Sequence, residues 1–189
     1  MLTGNRLKVH VVTCILGALA LSVSCTQDTA PATVQPRRPY FSVETYFKAE
    51  ADRLQKSAPL VTKTVNKNGE QETHAVRISK WENELMLFIE SDINKTAWSQ
   101  LYQIDSVGNT VTYRSVDPEL RTQQILLKRD TNGDIRYIGI QNRASNMLYQ
   151  SDEQLEYYPD SLYRIGKRQR VIVVGKNNYT ITGTFEQSQ

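Results

Sequence analysis

The chain has 189 residues, which is enough for one domain behind an N-terminal leader. Its 39% apolar and 23% charged residues are typical of a globular protein and exclude a chain that is disordered throughout. The formal charge is +3, but the leader holds Arg6 and Lys8 and no acidic residue, so the remainder carries only +1. A nearly neutral body argues against a bulk electrostatic grip on nucleic acid.

The N-terminus has the three-part layout of a secretory signal peptide. Residues 1–8 are short and basic, residues 9–21 are almost wholly apolar, and the small residues Ser22 and Ser24 follow. The apolar run is shorter than the roughly 20 residues that a membrane span needs. We therefore expect residues 1–24 to be a cleaved leader.

At Ser24-Cys25 the sequence resembles a bacterial lipoprotein precursor, although the position three before the cysteine holds Ser22 where that family usually has leucine. The resemblance covers about residues 1–25. It implies that the Cys25 thiol receives a diacylglycerol, that the leader is cut, and that the new amino terminus is acylated by a chain such as palmitate. The alternative is ordinary secretion, because Ser22-Val23-Ser24 also forms a small-x-small cleavage site.

A polar, proline-containing stretch follows the cysteine and has the composition of a flexible spacer. We expect residues 25–39 to tether a single domain that spans residues 40–189. Thr26, and not aspartate, follows Cys25, and by resemblance to the Gram-negative sorting rule this favours the outer membrane. The expected location is thus the cell envelope, with a lipid anchor in the membrane.

Two helices and a hairpin are predicted in the first half of the domain. Residues 43–56 repeat apolar side chains at helical spacing, and Ser42 can cap their start. Residues 60–78 alternate as a β-hairpin that turns at Asn68-Gly69. Ser79-Lys80-Trp81-Glu82 matches a capping box and predicts a second helix over residues 80–91.

From residue 99 onwards the chain is predicted to form strands. Hairpins are expected to turn near Gly108-Asn109 and at Asn132-Gly133, and three or four more strands to break near Pro159-Asp160, Gly166 and Asn177-Asn178. Short connections join antiparallel neighbours. The expected fold is α+β: an antiparallel meander of six to eight strands, as a curved sheet or half-barrel, with one or two N-terminal-half helices packed on it.

No pattern for a catalytic, metal or cofactor site stands out. Asp130–Asp134 resembles part of a calcium loop, but the sixth and twelfth places hold Ile135 and Gln141, so a hairpin turn is favoured. His74 is in step with Val76 and predicts a strand position that faces the core or a cavity. Carboxylates that are neighbours in sequence, such as Asp152 and Glu153, are predicted on largely solvated faces. We therefore predict no catalytic residue, metal or cofactor.

Two sets of residues are candidates for binding. Lys167, Arg168 and Arg170, with Lys176, form the densest basic cluster, which could contact an anionic surface or be a solvated sheet face. The tyrosines are spread over nearly every predicted strand and could line a concave apolar face with polar tips, or simply fill half-buried strand positions. The candidate ligand-facing members are Tyr102, Tyr113, Tyr137, Tyr149, Tyr157 and Tyr163.

The whole chain resembles uncharacterised Gram-negative envelope lipoproteins, a resemblance that implies no activity. The expected function is a lipid-anchored binding or interaction module without catalysis, whose partner is another envelope protein or a hydrophobic ligand. The alternatives are a carrier of lipid in a concave sheet and an envelope hydrolase. A core closed around the tyrosines would favour the module. An open apolar groove under the second helix would favour the carrier, and a cleft with His74 the hydrolase.

Overall fold

A computed structural model describes residues 40–172 and 175–186. The predicted leader, Cys25 and the tether lie outside the described residues. Among the described residues, no helix is long and apolar enough to cross a membrane.

The described part contains three α-helices, one short 3₁₀ turn at Thr96–Trp98 and nine strands. The helices are α1 (Val43–Ser57), α2 (Trp81–Glu84) and α3 (Met86–Ile89). The strands are β1 (Leu60–Lys67), β2 (Glu70–Arg77), β3 (Tyr102–Val107), β4 (Thr110–Ser115), β5 (Thr122–Arg129), β6 (Ile135–Ser145), β7 (Tyr149–Tyr158), β8 (Leu162–Val171) and β9 (Gly175–Phe185).

All nine strands form one antiparallel sheet in the order β2-β1-β9-β8-β7-β6-β5-β4-β3. Strands β3 to β9 form a simple meander, and β9 also pairs with β1, so that Val61 lies opposite Phe185. The edge strands β2 and β3 do not pair with each other, so the sheet is open. The predicted α+β meander is confirmed, with nine strands where six to eight were expected.

Helix α1 confirms the prediction for residues 43–56. The Ser42 hydroxyl accepts a hydrogen bond from the Thr45 backbone N–H at 3.2 Å, which is the N-cap contact that serine supplies. The apolar stripe of α1, including Phe47 and Leu54, is buried against the sheet. Ala58 ends the helix in a left-handed conformation, and its N–H donates to the Leu54 carbonyl at 2.9 Å.

The second predicted helix is divided into α2 and α3 at Leu85, and its predicted cap is wrong. Lys80, and not Ser79, precedes the first helical residue, and Lys80 makes no side-chain cap. Instead the Trp81 backbone N–H donates to the Gln55 side-chain carbonyl of α1 at 3.1 Å. A tertiary contact thus replaces the local capping box. The predicted apolar face of Trp81, Leu85, Phe88 and Ile89 is buried, as expected.

The predicted turns at Asn68-Gly69, Gly108-Asn109, Asn132-Gly133 and near Pro159-Asp160 are present. The breaks predicted at Gly166 and Asn177-Asn178 are wrong, because these residues lie inside β8 and β9. Strand β8 instead ends at Val171 and β9 begins at Gly175, whose φ of +92° is one that glycine adopts without strain.

The core lies between the helices and one face of the sheet, which we call the covered face. Its aromatic centre is made by Phe47, Phe88 and Tyr157 and, beside them, by Trp81 stacked on Phe185 with ring centroids 5.7 Å apart. The opposite face of the sheet, which we call the open face, has no helix of the described part on it.

Candidate functional site

One cleft stands out on the covered face, with a volume of about 650 Å³. It lies where the segment after α3, residues 90–98, passes over strands β5 to β8. Volumes of roughly 300–1,000 Å³ are usual for small-molecule sites. We call this end of the sheet, where the β6–β7 and β8–β9 connections also lie, the cleft end.

The floor of the cleft is a row of polar side chains across four strands. Thr122 of β5 lies opposite Asn142 of β6, Asn142 opposite Glu153 of β7, and Glu153 opposite Lys167 of β8. Ser151 lies on the same face, two residues before Glu153. The row arises because each of the four strands has a polar residue at the inward position where it passes the cleft, and the strand register aligns these positions.

Glu153 is the centre of this row and is only 6% exposed. Its carboxylate accepts from Lys167 Nζ at 2.9 Å and from Arg121 at 2.8 Å, and the Asn142 amide nitrogen donates to it at 3.2 Å. Burial by itself raises the pKa of Glu153, but Lys167, Arg121 and Asn142 together hold that pKa below its usual value. Burial likewise opposes the charge on Lys167, while Glu153 raises the pKa of the Lys167 ammonium overall. Both groups are therefore ionised at neutral pH.

Asn142 is held from two sides and leaves one atom unused. Its amide nitrogen donates to Ser91 Oγ at 2.8 Å and to Glu153, while the Ser91 hydroxyl donates to the Leu87 carbonyl at 2.7 Å. Asn142 Oδ1 is buried and has no hydrogen-bond partner among the described residues, and the same is true of Ser151 Oγ. Asn142 and Ser151, each 3% exposed, line the cleft, and each holds one buried polar atom without a partner among the described residues.

The segment after α3 builds the opposite wall of the cleft. Asp92 is fixed there because its carboxylate accepts from the Glu44 backbone N–H at 2.9 Å and from the Asn94 N–H at 2.7 Å. Trp98 follows on the 3₁₀ turn, and Lys95 Nζ lies 4.1 Å from the centre of its ring. Tyr149 of β7 also lines the cleft and accepts a hydrogen bond from Gln169 Nε2 at 3.1 Å.

The six candidate tyrosines do not share one ligand-facing surface. Four of them lie in the core on the covered face, with exposures of 0–8%: Tyr102, Tyr113, Tyr157 and Tyr163. Tyr149 lines the cleft, and Tyr137 lies on the open face against Tyr158, with ring centroids 4.8 Å apart. Of these candidates, only Tyr149 combines an inward position with access to a cavity of this size.

Two of the buried tyrosines are bound to carboxylates on the helices. The Tyr157 hydroxyl donates to Glu50, and the Tyr163 hydroxyl donates to Glu84 Oε1 at 2.7 Å. Burial, together with these carboxylates, strongly raises the pKa of both tyrosines. They are neutral hydrogen-bond donors at the helix–sheet interface, and their hydroxyls are already occupied.

The basic cluster divides between the two faces. Lys167 points to the cleft, where its charge is neutralised by Glu153. Arg168 and Arg170 are exposed and lie on the open face, as the alternation of a strand requires, and Lys176 of β9 lies directly opposite Arg170. Lys167 therefore does not belong to the outward-facing set.

His74 and the acidic turn are both far from this chemistry. His74 is on β2, but its side chain is 72% exposed, so the expected core or cavity position is wrong. The physical reason is that β2 is an edge strand whose side chains are almost all exposed, beyond the cover of the helices. Asp130 closes a hairpin turn by accepting from the backbone N–H groups of Asn132 and Asp134 at 2.9 and 3.0 Å. No group of metal-ligating side chains is found in the described part.

The inward position of Glu153 could have been predicted from the sequence, but Asp152 and Glu153 were considered only as neighbours along the chain. Ser151, Glu153, Leu155 and Tyr157 alternate with period two, so Glu153 shares a face with two apolar residues. Its predicted place on a solvated face is therefore wrong, whereas Asp152 does lie on the open face. Asn142 could have been found in the same way from Ile138 and Ile140.

No protein-family model matches the chain, and neither a curated protein nor a solved structure shows a significant match to it.

Proposed function

We propose that this protein is a lipid-anchored binding module of the cell envelope, without catalytic activity, that holds a neutral polar ligand in the cleft. The observation that carries the proposal is the pair of unpaired polar atoms, Asn142 Oδ1 and Ser151 Oγ, at the cleft. Buried polar groups in proteins are nearly always hydrogen-bonded, and one left unpaired costs about 1–3 kcal/mol. A ligand that donates to Asn142 Oδ1 and bonds to Ser151 would supply the missing partners.

The charges around the cleft favour a neutral ligand. Four acidic residues and four basic residues line it: Glu44, Glu90, Asp92, Glu153, Lys95, Arg121, Arg143 and Lys167. Their formal charges cancel, and the innermost carboxylate already has two cationic partners. With the rings of Trp98 and Tyr149 in the walls, the cleft suits a hydroxyl-bearing ligand such as a short sugar chain.

The packing supports a binding module more than a lipid carrier. A carrier would need an open apolar groove beneath the helices, but Trp81, Leu85 and Phe88 of α2 and α3 are fully buried. The rings of Tyr157 and Tyr163 fill the space below them. The tyrosines therefore act as core residues, and the space beneath α2 and α3 that an acyl chain would need is filled.

The cleft also gives a hydrolase little support. A serine nucleophile needs a base within hydrogen-bond reach, and Ser151 Oγ has no partner of any kind among the described residues. Lys167, on the neighbouring strand, is held as a cation by Glu153. The arrangement suits recognition by hydrogen bonds, which requires no proton transfer.

The envelope location rests on the sequence at Ser24-Cys25 and on the spacer that follows. The anchor places the module at a membrane, by expectation the outer membrane of a Gram-negative bacterium. Replacing the acceptor, Cys25→Ser, is expected to move the protein from the membrane to the soluble fraction after cell fractionation. Cys14→Ser in the apolar run is the matched control and should leave the distribution unchanged. A Cys25→Ser protein that stays in the membrane fraction would contradict lipid anchoring.

Ligand binding is tested by thermal unfolding of the full chain with neutral oligosaccharides, and with acidic oligosaccharides and fatty acids in parallel. We expect neutral oligosaccharides to raise the midpoint, and Ser151→Ala to abolish that rise. Ser106→Ala, on the exposed edge strand β3, is the control and should keep it. A tightly bound acyl lipid recovered by organic extraction and mass spectrometry would contradict the proposal and restore the carrier.

A further inference from the structure

Two neighbouring connections at the cleft end carry exposed apolar side chains. Met147 and Leu148, between β6 and β7, are 92% and 65% exposed, and Ile172, after β8, is 70% exposed. The Ile172 backbone N–H donates to the Leu148 carbonyl at 3.1 Å, so Leu148 and Ile172 lie side by side. These are three of the four most exposed large apolar side chains in the described part. We call Met147, Leu148 and Ile172 the apolar tip.

Three cations that form no ion pair within the described residues lie next to the apolar tip. Arg170 and Lys176 lie opposite each other on β8 and β9, one residue inside the strand ends that flank the β8–β9 connection, and Arg168 lies further along β8 on the same face. None of the three forms an ion pair with a carboxylate of the described part, unlike the cleft residues Lys167 and Arg121. Asp152 is opposite Arg168 in the strand pairing, but its carboxylate accepts from Arg143 at 3.3 Å.

We propose that the apolar tip and these three cations form a surface that docks on a membrane of anionic phospholipid. The tip would enter the boundary between headgroups and acyl chains, and Arg168, Arg170 and Lys176 would contact the phosphates. Apolar side chains beside unneutralised basic groups are the combination that interfacial binding uses. Each basic group near an anionic surface adds about a fivefold gain in affinity.

The proposal does not depend on the cleft ligand or on Cys25, although a lipid anchor would keep the surface near the bilayer. It does have a consequence for the cleft. Tyr149, in the wall of the cleft, directly follows Leu148 in the chain. Docking through the tip would therefore place the cleft beside the headgroups and not away from them.

The test measures how deeply one introduced tryptophan enters the bilayer, so membrane attachment through the leader or an acyl anchor does not by itself give the signal. Leu148→Trp is made in the full chain, and Val107→Trp is the control. Val107 is 71% exposed at the end of β3, beside the β3–β4 turn and at the opposite end of the sheet. Each variant is mixed with vesicles of equimolar phosphatidylglycerol and phosphatidylcholine that carry brominated acyl chains. The fluorescence of the parent chain is subtracted.

We expect brominated chains to quench the probe at residue 148 several times more than the probe at residue 107. Equal quenching at both positions would mean non-specific adsorption, and no quenching at residue 148 would leave the tip to a protein partner. Either result overturns the proposal. A normal unfolding transition for both variants ensures that the comparison is made on folded protein.

The phosphate contact is tested with the same probe. In the Leu148→Trp background, Arg170→Gln and Lys176→Gln are each expected to weaken docking about fivefold. Arg164→Gln removes the same charge from the open face of β8, further from the tip, and is expected to change docking less than twofold. Equal quenching on pure phosphatidylcholine vesicles, or equal effects of the three substitutions, would overturn the assignment to anionic phospholipid.

Discussion

The two ends of the covered face hold their buried carboxylates in different surroundings. At the end away from the cleft, which we call the closed end, α1 and α2 close over the sheet, and the tyrosine hydroxyls there donate to Glu50 and Glu84. At the cleft end the helices give way to residues 90–98, and the sheet presents a polar row around Glu153. Both ends supply their carboxylates with cations: Arg53 binds Glu50 and Lys63 binds Glu84 at the closed end, as Lys167 and Arg121 bind Glu153 at the cleft end. Each end also leaves buried polar atoms without partners among the described residues: Trp81 Nε1 at the closed end, and Asn142 Oδ1 and Ser151 Oγ beside the cleft.

This difference shows that strand alternation alone does not decide what an inward position contains. Tyr157 and Glu153 have the same parity on β7, yet one is packed by rings and the other is bound by two cations. The covering element makes the difference. The apolar stripe of a helix packs against apolar side chains or against polar groups that are already hydrogen-bonded. The segment of residues 90–98 carries polar backbone groups and Asp92, so polar side chains on the sheet can lie beneath it.

The largest expected effect is at the closed end. Trp81→Ala removes a fully buried side chain that stacks on Phe185 and packs against Tyr163. The lost burial and the resulting cavity should lower the free energy of unfolding by about 3–5 kcal/mol. Trp98→Ala, in the cleft wall, is the counterpart and should cost less than half as much because its side chain is only partly buried. Urea denaturation of both variants checks the comparison, and equal losses would contradict it.

At the cleft end, Glu153→Gln should lower the free energy of unfolding by about 2 kcal/mol. The substitution leaves Lys167 without its counterion while keeping the shape of the side chain. Breaking a fully buried pair costs roughly 3–5 kcal/mol, but the second cation, Arg121, is 32% exposed and is stabilised by water. Glu82→Gln, on the exposed side of α2, is the matched control and should change stability by less than about 0.5 kcal/mol.

The same network predicts a dependence on acid. The folded protein holds the pKa of Glu153 below its ordinary value of 4.5, so the folded state binds fewer protons than the unfolded state in that range. This contribution is present above pH 4.5 and is lost as the pH falls through the lower folded-state pKa. Denaturation measured at a series of pH values from neutral to acidic should therefore show that the gap in free energy of unfolding between wild type and Glu153→Gln becomes smaller. A gap that is constant or widens in acid would contradict this role.

Removing one tyrosine or serine hydroxyl at each end should change stability by different amounts. Tyr163→Phe deletes a donor to the Glu84 carboxylate and should cost about 1–2 kcal/mol, because hydrogen bonds to charged groups are the stronger ones. Ser151→Ala deletes a buried hydroxyl that has no partner among the described residues, and should be neutral or slightly stabilising. Thermal unfolding of both variants without ligand measures the difference. A large loss for Ser151→Ala would mean that its hydroxyl is already satisfied.

The smallest expected effect concerns the starts of the helices. Helix α1 begins at the cleft end with a side-chain cap from Ser42, which also donates to Asp92 at 3.0 Å, so Ser42→Ala should cost about 1 kcal/mol. Helix α2 begins at the closed end without a cap from Ser79, so Ser79→Ala should change stability by less than about 0.5 kcal/mol. Losses of equal size would show that the capping box forms after all.

Local patterns predicted most of the fold. The 3.6-residue period of α1, the two-residue turns such as Asn68-Gly69, and the alternation within strands depend on neighbours in sequence and were recognised there. The division of the second helix at Leu85 and its cap from Gln55 depend on α1 packing beside it. Such a tertiary contact leaves no local signal, and for this reason the capping box at Ser79 was misleading.

The candidate site was harder to predict because it is assembled from register. Asn142, Glu153 and Lys167 form one row only when the three consecutive strands β6, β7 and β8 are aligned in this register. Spacing along the chain cannot show that alignment. The tyrosines, which composition made conspicuous, are mainly core residues whose hydroxyls are used by the helices.

The place of β9 between β1 and β8 has a consequence for the order of folding. The β1–β2 hairpin joins the rest of the sheet only through β9, and Thr62 contacts a residue 124 positions later, at the end of the described part. Contacts that span so much of a chain form slowly. While the protein is being synthesised, the first hairpin has no strand to join until the last one has emerged. Export through a narrow membrane channel, which the proposed envelope location would require, needs an unfolded chain, and this connectivity would delay completion of the sheet until β9 has passed.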